Sequence, residues 1–207
     1  KNVKSNLIKM GAEVQIITNP NNIKKIRYVD AHTNAMLLRV DEKDFTDRVS
    51  SDVISKIKKN IYEDFHFDGL IISDYCKGFL TETDIQFLIE HNDNVFLDTK
   101  KILGEWMYDV NFVKINEKEY EKTKRYVDDK KLNDKLIITR GSDGCQYQDN
   151  IYSVPQVDGV KDYSGAGDTF LSGFAYRYMD TKDVKSAINY AQECATIVVQ
   201  KHGVATI

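Results

Sequence analysis

The sequence is poor in the residues that build metal sites and disulfide frameworks. Its three cysteines, Cys76, Cys145 and Cys194, are far apart and show no metal-ligand spacing. They read as reduced thiols in a cytoplasmic protein. The four histidines, His32, His66, His91 and His202, are equally scattered, which argues against a zinc site. No apolar run approaches the roughly 20 residues that a membrane span needs, and no secretory signal is legible after Lys1. Only two prolines are present, and no linker, internal repeat or low-complexity segment interrupts the chain. Neither sign of charge dominates: 29 Lys and Arg stand against 32 Asp and Glu, mixed along the chain, for a net charge of −3. That leaves no electrostatic case for nucleic acid or an anionic membrane as the main partner.

What is present suffices for one globular domain with a sizeable core: 207 residues, 42% of them hydrophobic. Residues 1–10 read as the end of a helix stopped at Gly11, and residues 12–18 (AEVQIIT) as a strand. Asn19-Pro20-Asn21-Asn22 is a turn by composition. Residues 23–30 and 35–41 form a plausible β-hairpin, with Arg39 and Asp41 on one face. From there helix and strand alternate. Helices are expected at 49–62, 81–91, after Asn116, 169–179 and 182–200, and short apolar strands at 69–73, 94–98, 111–115 and 135–139. A second hairpin is expected at 146–154, turning at Asp149-Asn150. This pattern predicts an α/β fold with a mostly parallel sheet flanked by helices. Segments 1–22 and 42–207 would form the core, and 23–41 a small β lid. In such sheets ligands bind beyond the carboxyl ends of the strands. Polar residues stand there in succession: Asp74, Asp98, Asn116 and Thr139.

The stretch Asp162-Tyr163-Ser164-Gly165-Ala166-Gly167-Asp168-Thr169-Phe170 runs from a glycine-bearing loop into apolar residues at helical spacing. A helix start leaves backbone N–H groups without partners and carries partial positive charge, so it suits an anion. The glycines let that anion approach closely. Asp168 would lie beside the anion, where a carboxylate can take a proton from a hydroxyl attacking a phosphoryl group. The alternative is a tight turn with Asp168 serving only as a partner of the helix dipole.

This stretch resembles the C-terminal signature of the ribokinase-like (PfkB) carbohydrate kinases, Asp-Thr-Thr-Gly-Ala-Gly-Asp-Thr-Phe, with Tyr163 and Ser164 in place of the two threonines. Further segments match in the family's order. Asn116-Glu117-Lys118-Glu119 resembles its Asn-x-x-Glu motif. Residues 139–144, Thr139-Arg140-Gly141-Ser142-Asp143-Gly144, resemble its nucleotide-side loop, and Lys201-His202-Gly203 a late loop near the adenine. Asn2, Val3 and Asn6 resemble the end of its sugar motif.

The resemblance implies ATP as phosphoryl donor and Mg²⁺ held mostly through water near Asn116 and Glu119. It implies Asp168 as base and the N–H groups of Gly165, Ala166 and Gly167 as holders of the developing charge. Asp162 would shape the loop or help hold a monovalent cation such as K⁺. Thr139, Arg140, Gly141, Gly144, Gln192, His202 and Gly203 would line the nucleotide, with Gln192 at a frequent Asn position. Asn2, Asn6, Arg39, Asp74 and Lys77 would face the sugar.

Ser73-Asp74-Tyr75-Cys76-Lys77-Gly78-Phe79-Leu80-Thr81 resembles a segment of the heptose-phosphate kinases of lipopolysaccharide-precursor synthesis. Residues 25–27 and 37–41 resemble the same group's lid strands. The implied reaction is phosphorylation of the anomeric hydroxyl of D-glycero-D-manno-heptose 7-phosphate, by a homodimer paired through the lid. The alternatives are another ribokinase-like sugar or nucleoside kinase, or a non-catalytic nucleotide- or sugar-binding homologue. Family members are longer. The missing length is expected before Lys1 and between about Thr18 and Lys24.

Overall fold

The computed structural model describes residues 1–19, 23–33, 35–154, 157 and 159–207. The predicted turn at Asn19-Pro20-Asn21-Asn22 therefore lies mostly outside the described residues.

The centre is a six-stranded sheet in the order β10-β9-β8-β7-β6-β5. Strands β5 (Leu70–Asp74), β6 (Val95–Thr99), β7 (Phe112–Asn116) and β8 (Leu136–Thr139) run parallel. The hairpin β9 (Cys145–Tyr147) and β10 (Asn150–Tyr152) closes one edge antiparallel. Its turn falls at Gln148-Asp149, one residue earlier than expected, with Gln148 in the left-handed region (φ 54°).

Alternation along the strands decides which helix each side chain meets. Leu97, Val113, Ile115 and Ile138 pack on one face with Ile54 of α2 (Ser51–Lys56) and Ile85 and Leu88 of α3 (Glu82–Glu90). Phe96, Phe112 and Ile137 pack on the other with Phe170, Leu171 and Phe174 of α6 (Ala166–Thr181) and Ile188 of α7 (Val184–Val199). The same period puts Asp98, two residues after Phe96, and Lys114, two after Phe112, on the α6 face. In the ladder Asp98 lies opposite Lys114. Short helix α1 (Asn2–Lys9) packs beside α6, and α4 (Glu117–Thr123) and α5 (Asp129–Leu132) precede β8.

Two sequence expectations fail. Residues 12–18 form no strand. Ala12, Val14 and Ile16 alternate with exposed Glu13 and Gln15, as an extended chain would, but the sheet ends at β5 and no ladder joins them to it. A strand is defined by its partner, and an alternating pattern alone does not supply one. The helix expected over 49–62 stops at Lys56. Beyond it Lys59, Asn60, Glu63 and Asp64 all adopt positive φ, and β3 (Ile61–Tyr62) pairs with β4 (Phe65–His66) as a short hairpin. Polar contacts with the end of α3 hold this path. Lys59 N–H donates to His91 O (2.7 Å), and Asp93 N–H donates to Asn60 Oδ1 (2.9 Å).

The start of α3 is fixed as its sequence implies. Thr81 and Asp84 form a reciprocal capping box, and Asp84 is buried against Arg48 at 2.6 and 2.9 Å. The Arg48 hydrogen bonds hold the Asp84 carboxyl down to about 2, against the opposing effect of burial. A depressed carboxylate contributes stability above its unfolded value near 4, and that contribution is lost as pH falls toward 2. Asp84→Asn should lower the unfolding free energy at pH 7 by on the order of 2 kcal/mol, and by clearly less at pH 3. Urea titrations at both pH values check this; an equal loss at the two would refute it.

The first hairpin, β1 (Lys24–Val29) with β2 (Met36–Glu42), forms a separate two-stranded sheet within the expected lid segment. The pairing sets Tyr28 opposite Leu38, and both are exposed, as are Met36, Leu37 and Val29. Any homodimer contact through the hairpin would have to cover this apolar surface.

Candidate functional site

Helix α6 starts at the glycine loop, three residues earlier than its apolar period suggested. Its N-cap is Gly165 at φ 89°, a left-handed conformation that glycine adopts without strain. A side chain there would also strike Asn2 Nδ2 at 2.8 Å. The loop is shaped from within by Asp162, whose Oδ1 accepts from Ser164 N–H at 2.8 Å. Burial raises the Asp162 carboxyl, but the Ser164 hydrogen bonds, together with Arg27 and the Gly203 N–H, hold it below its usual range. The backbone N–H groups of Lys161 and Asp162 donate to Val199 O, so the end of α7 braces the loop. The late loop lies against it too, since a Cβ on Gly165 would sit 3.3 Å from Val204 Cγ1.

Asp168 is the third residue of α6, facing the ends of the strands. Its Oδ1 accepts from the Tyr75 hydroxyl (2.8 Å) and its Oδ2 from Asn2 Nδ2 (3.3 Å). Beneath the loop, a Cβ on Gly167 would lie 3.1 Å from Lys114 Nζ. Lys114 is buried and paired with buried Asp98 at 2.5 Å. A helix N-terminus, a carboxylate and a buried ammonium thus converge at one point. The first and last favour an anion there, and the carboxylate can accept a proton beside it.

The strand ends prepare this place. Asp74 is buried: its Oδ1 accepts from Cys76 N–H (3.1 Å), its Oδ2 from the Thr99 hydroxyl (2.9 Å), and Lys101 lies 3.4 Å away. These contacts make it a brace for the chain around Tyr75. Asn116 and Glu119 form a reciprocal capping box on α4 at 2.9 Å each way, and Lys100 pairs with Glu119. Among the described residues no group of three His, Cys, Asp or Glu could hold a metal ion. Asn116 and Glu119, bonded to each other and with Glu119 paired to Lys100, would reach a phosphate-bound Mg²⁺ only through water.

Other expected site residues are engaged within the protein. Asn6 is fully buried, donating to Thr169 Oγ1 (3.0 Å) and accepting from Ile207 N–H (3.1 Å). Gln192 is buried and donates to Tyr152 O at 2.6 Å. Gly144, at φ 87°, packs there so tightly that a Cβ would fall 1.9 Å from Tyr152 O. Arg140 pairs with Glu117 at 2.8 Å, and the Thr139 hydroxyl donates to Ile115 O at 3.3 Å. Gly141 (φ 62°) has nothing near its Cβ position, and neither does Gly203, next to exposed His202. Arg39 pairs with Asp41 at 2.6 Å on the hairpin, and Lys77 pairs with Asp44.

Sequence reading missed Lys114, Tyr75 and Lys25 as site residues. A lysine inside the apolar run Phe112-Val113-Lys114-Ile115 was the available signal for the first. Lys25 Nζ lies 4.8 Å from the Tyr75 ring centroid, and among the described residues it makes no ion pair. Burial, then the cations Arg39 and Lys77, lower the Lys25 ammonium below its usual value.

Comparison with known proteins bears on the family and the fold. The pfkB family carbohydrate kinase profile matches residues 10–207. The bifunctional protein HldE of Nitratiruptor sp. is 28% identical over 251 residues, covering 99% of this chain and 53% of that protein. The chain spans about half the length of the curated relatives it matches. The 251-residue match exceeds the 207 residues of the chain, so the relative carries residues inside the matched region that this chain lacks. Among solved structures, the ribokinase of Thermotoga maritima superposes with TM-score 0.62 at 17% identity, covering 98% of this chain and 71% of that one. The nucleoside kinase of Methanocaldococcus jannaschii superposes with TM-score 0.60 at 20% identity, covering 88% and 62%. The ribokinase-like architecture expected from the sequence is therefore the observed one.

Proposed function

The chain belongs to the pfkB family of carbohydrate kinases, and from that premise we propose that it transfers the γ-phosphoryl group of ATP to the anomeric hydroxyl of D-glycero-D-manno-heptose 7-phosphate. The observation that carries the phosphoryl-transfer reading is Asp168 in the first turn of α6, with buried Lys114 beneath the same turn. The choice of acceptor rests on the resemblance of residues 73–81 to the heptose-phosphate kinases.

In this reading Asp168 accepts the proton of the acceptor hydroxyl as its oxygen attacks phosphorus. The backbone N–H groups at Gly165, Ala166 and Gly167 hold the charge that develops on the transferred group, and Lys114 adds a fixed positive charge in a water-poor place. Asn116 and Glu119 would hold, through water, a Mg²⁺ that would neutralise phosphate charge. Asp162 keeps the loop in shape; its bond from Ser164 N–H supports that role over a potassium site. The hairpin acts as the lid. Lys25 lies near Arg39 and Lys77, which would exchange their present partners Asp41 and Asp44 for the phosphate of the acceptor.

An ADP-release assay over ribose, fructose, nucleosides, hexose phosphates and the heptose phosphate tests this. Release should be greatest with the heptose phosphate. Lys77→Ala should raise KM for that acceptor by about tenfold, in line with one lost charge-assisted bond. Release with an unphosphorylated sugar alone would replace the acceptor. ATP binding without any sugar-dependent release would replace the kinase reading by that of a non-catalytic homologue.

A further inference from the structure

Both oxygens of the Asp168 carboxylate already have donors. Asn2 reaches one at 3.3 Å and shares its amide with Gly165 O at 3.4 Å. The Tyr75 hydroxyl takes the other at 2.8 Å, the shorter and better bond. A base that accepts a proton from an incoming hydroxyl needs one of these oxygens. The Tyr75 phenol makes the stronger of the two bonds to this carboxylate, at one of the acceptor positions the incoming hydroxyl can use.

Three features suit Tyr75 to give way. Its backbone is pinned on both sides: Cys76 N–H donates to Asp74 Oδ1, and Lys100 N–H donates to Asp74 O. Cys76 adopts φ 55°, which turns the chain sharply after the ring. The ring itself is 44% exposed and belongs to neither core cluster. It is clasped by cations, Lys25 from β1 at 4.8 Å and Lys100 at 6.0 Å from its centroid. A side chain with a fixed root, a ring outside both core clusters and polar neighbours can exchange its contacts without disturbing the core.

We propose that Tyr75 is a positioning residue that holds the Asp168 carboxylate in place of the acceptor hydroxyl and is displaced when the acceptor binds. This rests on the reading of Asp168 as base. The exchange breaks one O–H···O bond and forms another, and no proton is transferred in it. Burial and the neighbouring Asp168 carboxylate raise the Tyr75 phenol above its ordinary value, so it acts as a donor and not as a second base. The exchange also gives specificity. An acceptor without a hydroxyl at the reacting position leaves Asp168 covered by Tyr75.

Displacing Tyr75 adds a cost to acceptor binding that is the same in the ground state and the transition state. It should appear in KM and not in kcat. Tyr75→Phe should lower KM for the best acceptor of the sugar-phosphate panel by about tenfold, with kcat within about twofold of wild type. The gain should vanish for the 1,5-anhydro analogue, whose Kd should be equal in both proteins. A tenfold or larger fall in kcat would mean that the phenol donates during the reaction, and would overturn the proposal. Unchanged KM, or an equal gain for the analogue, would overturn it as well. Thermal melts of Tyr75→Phe exclude a folding defect, and the analogue's Kd supplies a readout that does not need turnover. If no panel member supports ADP release, the kinase reading falls first and this proposal with it. If wild type is active and Asp168→Asn is not, an unmoved Tyr75→Phe overturns the proposal alone.

Discussion

Replacing Asp168 by asparagine is expected to lower turnover by on the order of 10²–10⁴, the usual contribution of a positioned general base. Asparagine has nearly the same shape and can still accept from Tyr75, but it cannot take a proton. Helix α6 should survive, because its packing comes from Phe170, Leu171 and Phe174 and the carboxylate adds only a small dipole term. ATP affinity should be retained, since in the proposed mechanism backbone N–H groups and Lys114, not Asp168, hold the phosphate. Single-turnover ADP release alongside equilibrium ATP binding separates the two effects. Turnover equal to wild type would remove Asp168 as base and return it to the role of a helix-dipole partner.

Lys114→Met is expected to damage both stability and activity. Lys114 and Asp98 are both buried, with 2.5 Å between Nζ and Oδ2. Removing one partner leaves the other charge uncompensated, which typically costs about 3–5 kcal/mol. The double variant Asp98→Leu with Lys114→Met replaces the pair by apolar groups of similar size, and such swaps are often neutral or stabilising. Stability should therefore return in the double variant while activity stays low, because the positive charge beneath Gly167 is gone. Urea unfolding and ADP release on the two variants decide it. Recovery of activity in the double variant would make Lys114 purely structural. A single variant as stable as wild type would mean that the pair carries no buried charge.

The candidate site was legible in the sequence wherever its parts are local. Gly165 to Asp168 form one continuous stretch in which the backbone conformation, the helix start and the carboxylate come from adjacent residues. Asn116 and Glu119 were found together only through the resemblance to the family's Asn-x-x-Glu motif; the capping box they form came from the structure. The sequence did not show that this box and Lys100 engage the Glu119 side chain before any metal does. Asn6 and Gln192 illustrate the opposite limit. Both were expected at a ligand, yet each is buried and bonded to a distant part of the chain. A polar side chain has the same letter whether its partner is a substrate or a carbonyl 40 residues away.

The sequence by itself determined the local units: parallel strands of short apolar runs, a helix capped at Thr81, a helix following Asn116, and the glycine loop that opens α6. Their signals lie within a few residues, where hydrophobic period, capping chemistry and glycine's access to positive φ act. Only the tertiary structure decided what required partners. The alternating segment 12–18 found no neighbouring strand, and the run after Lys56 was turned aside by polar contacts with the end of α3. Lys114 reached Asp98 and the underside of Gly167 because adjacent strands in register put both side chains on the α6 face. Tyr75 met Asp168 across 93 positions of sequence, as the ends of β5 and the start of α6 converge on one edge of the sheet.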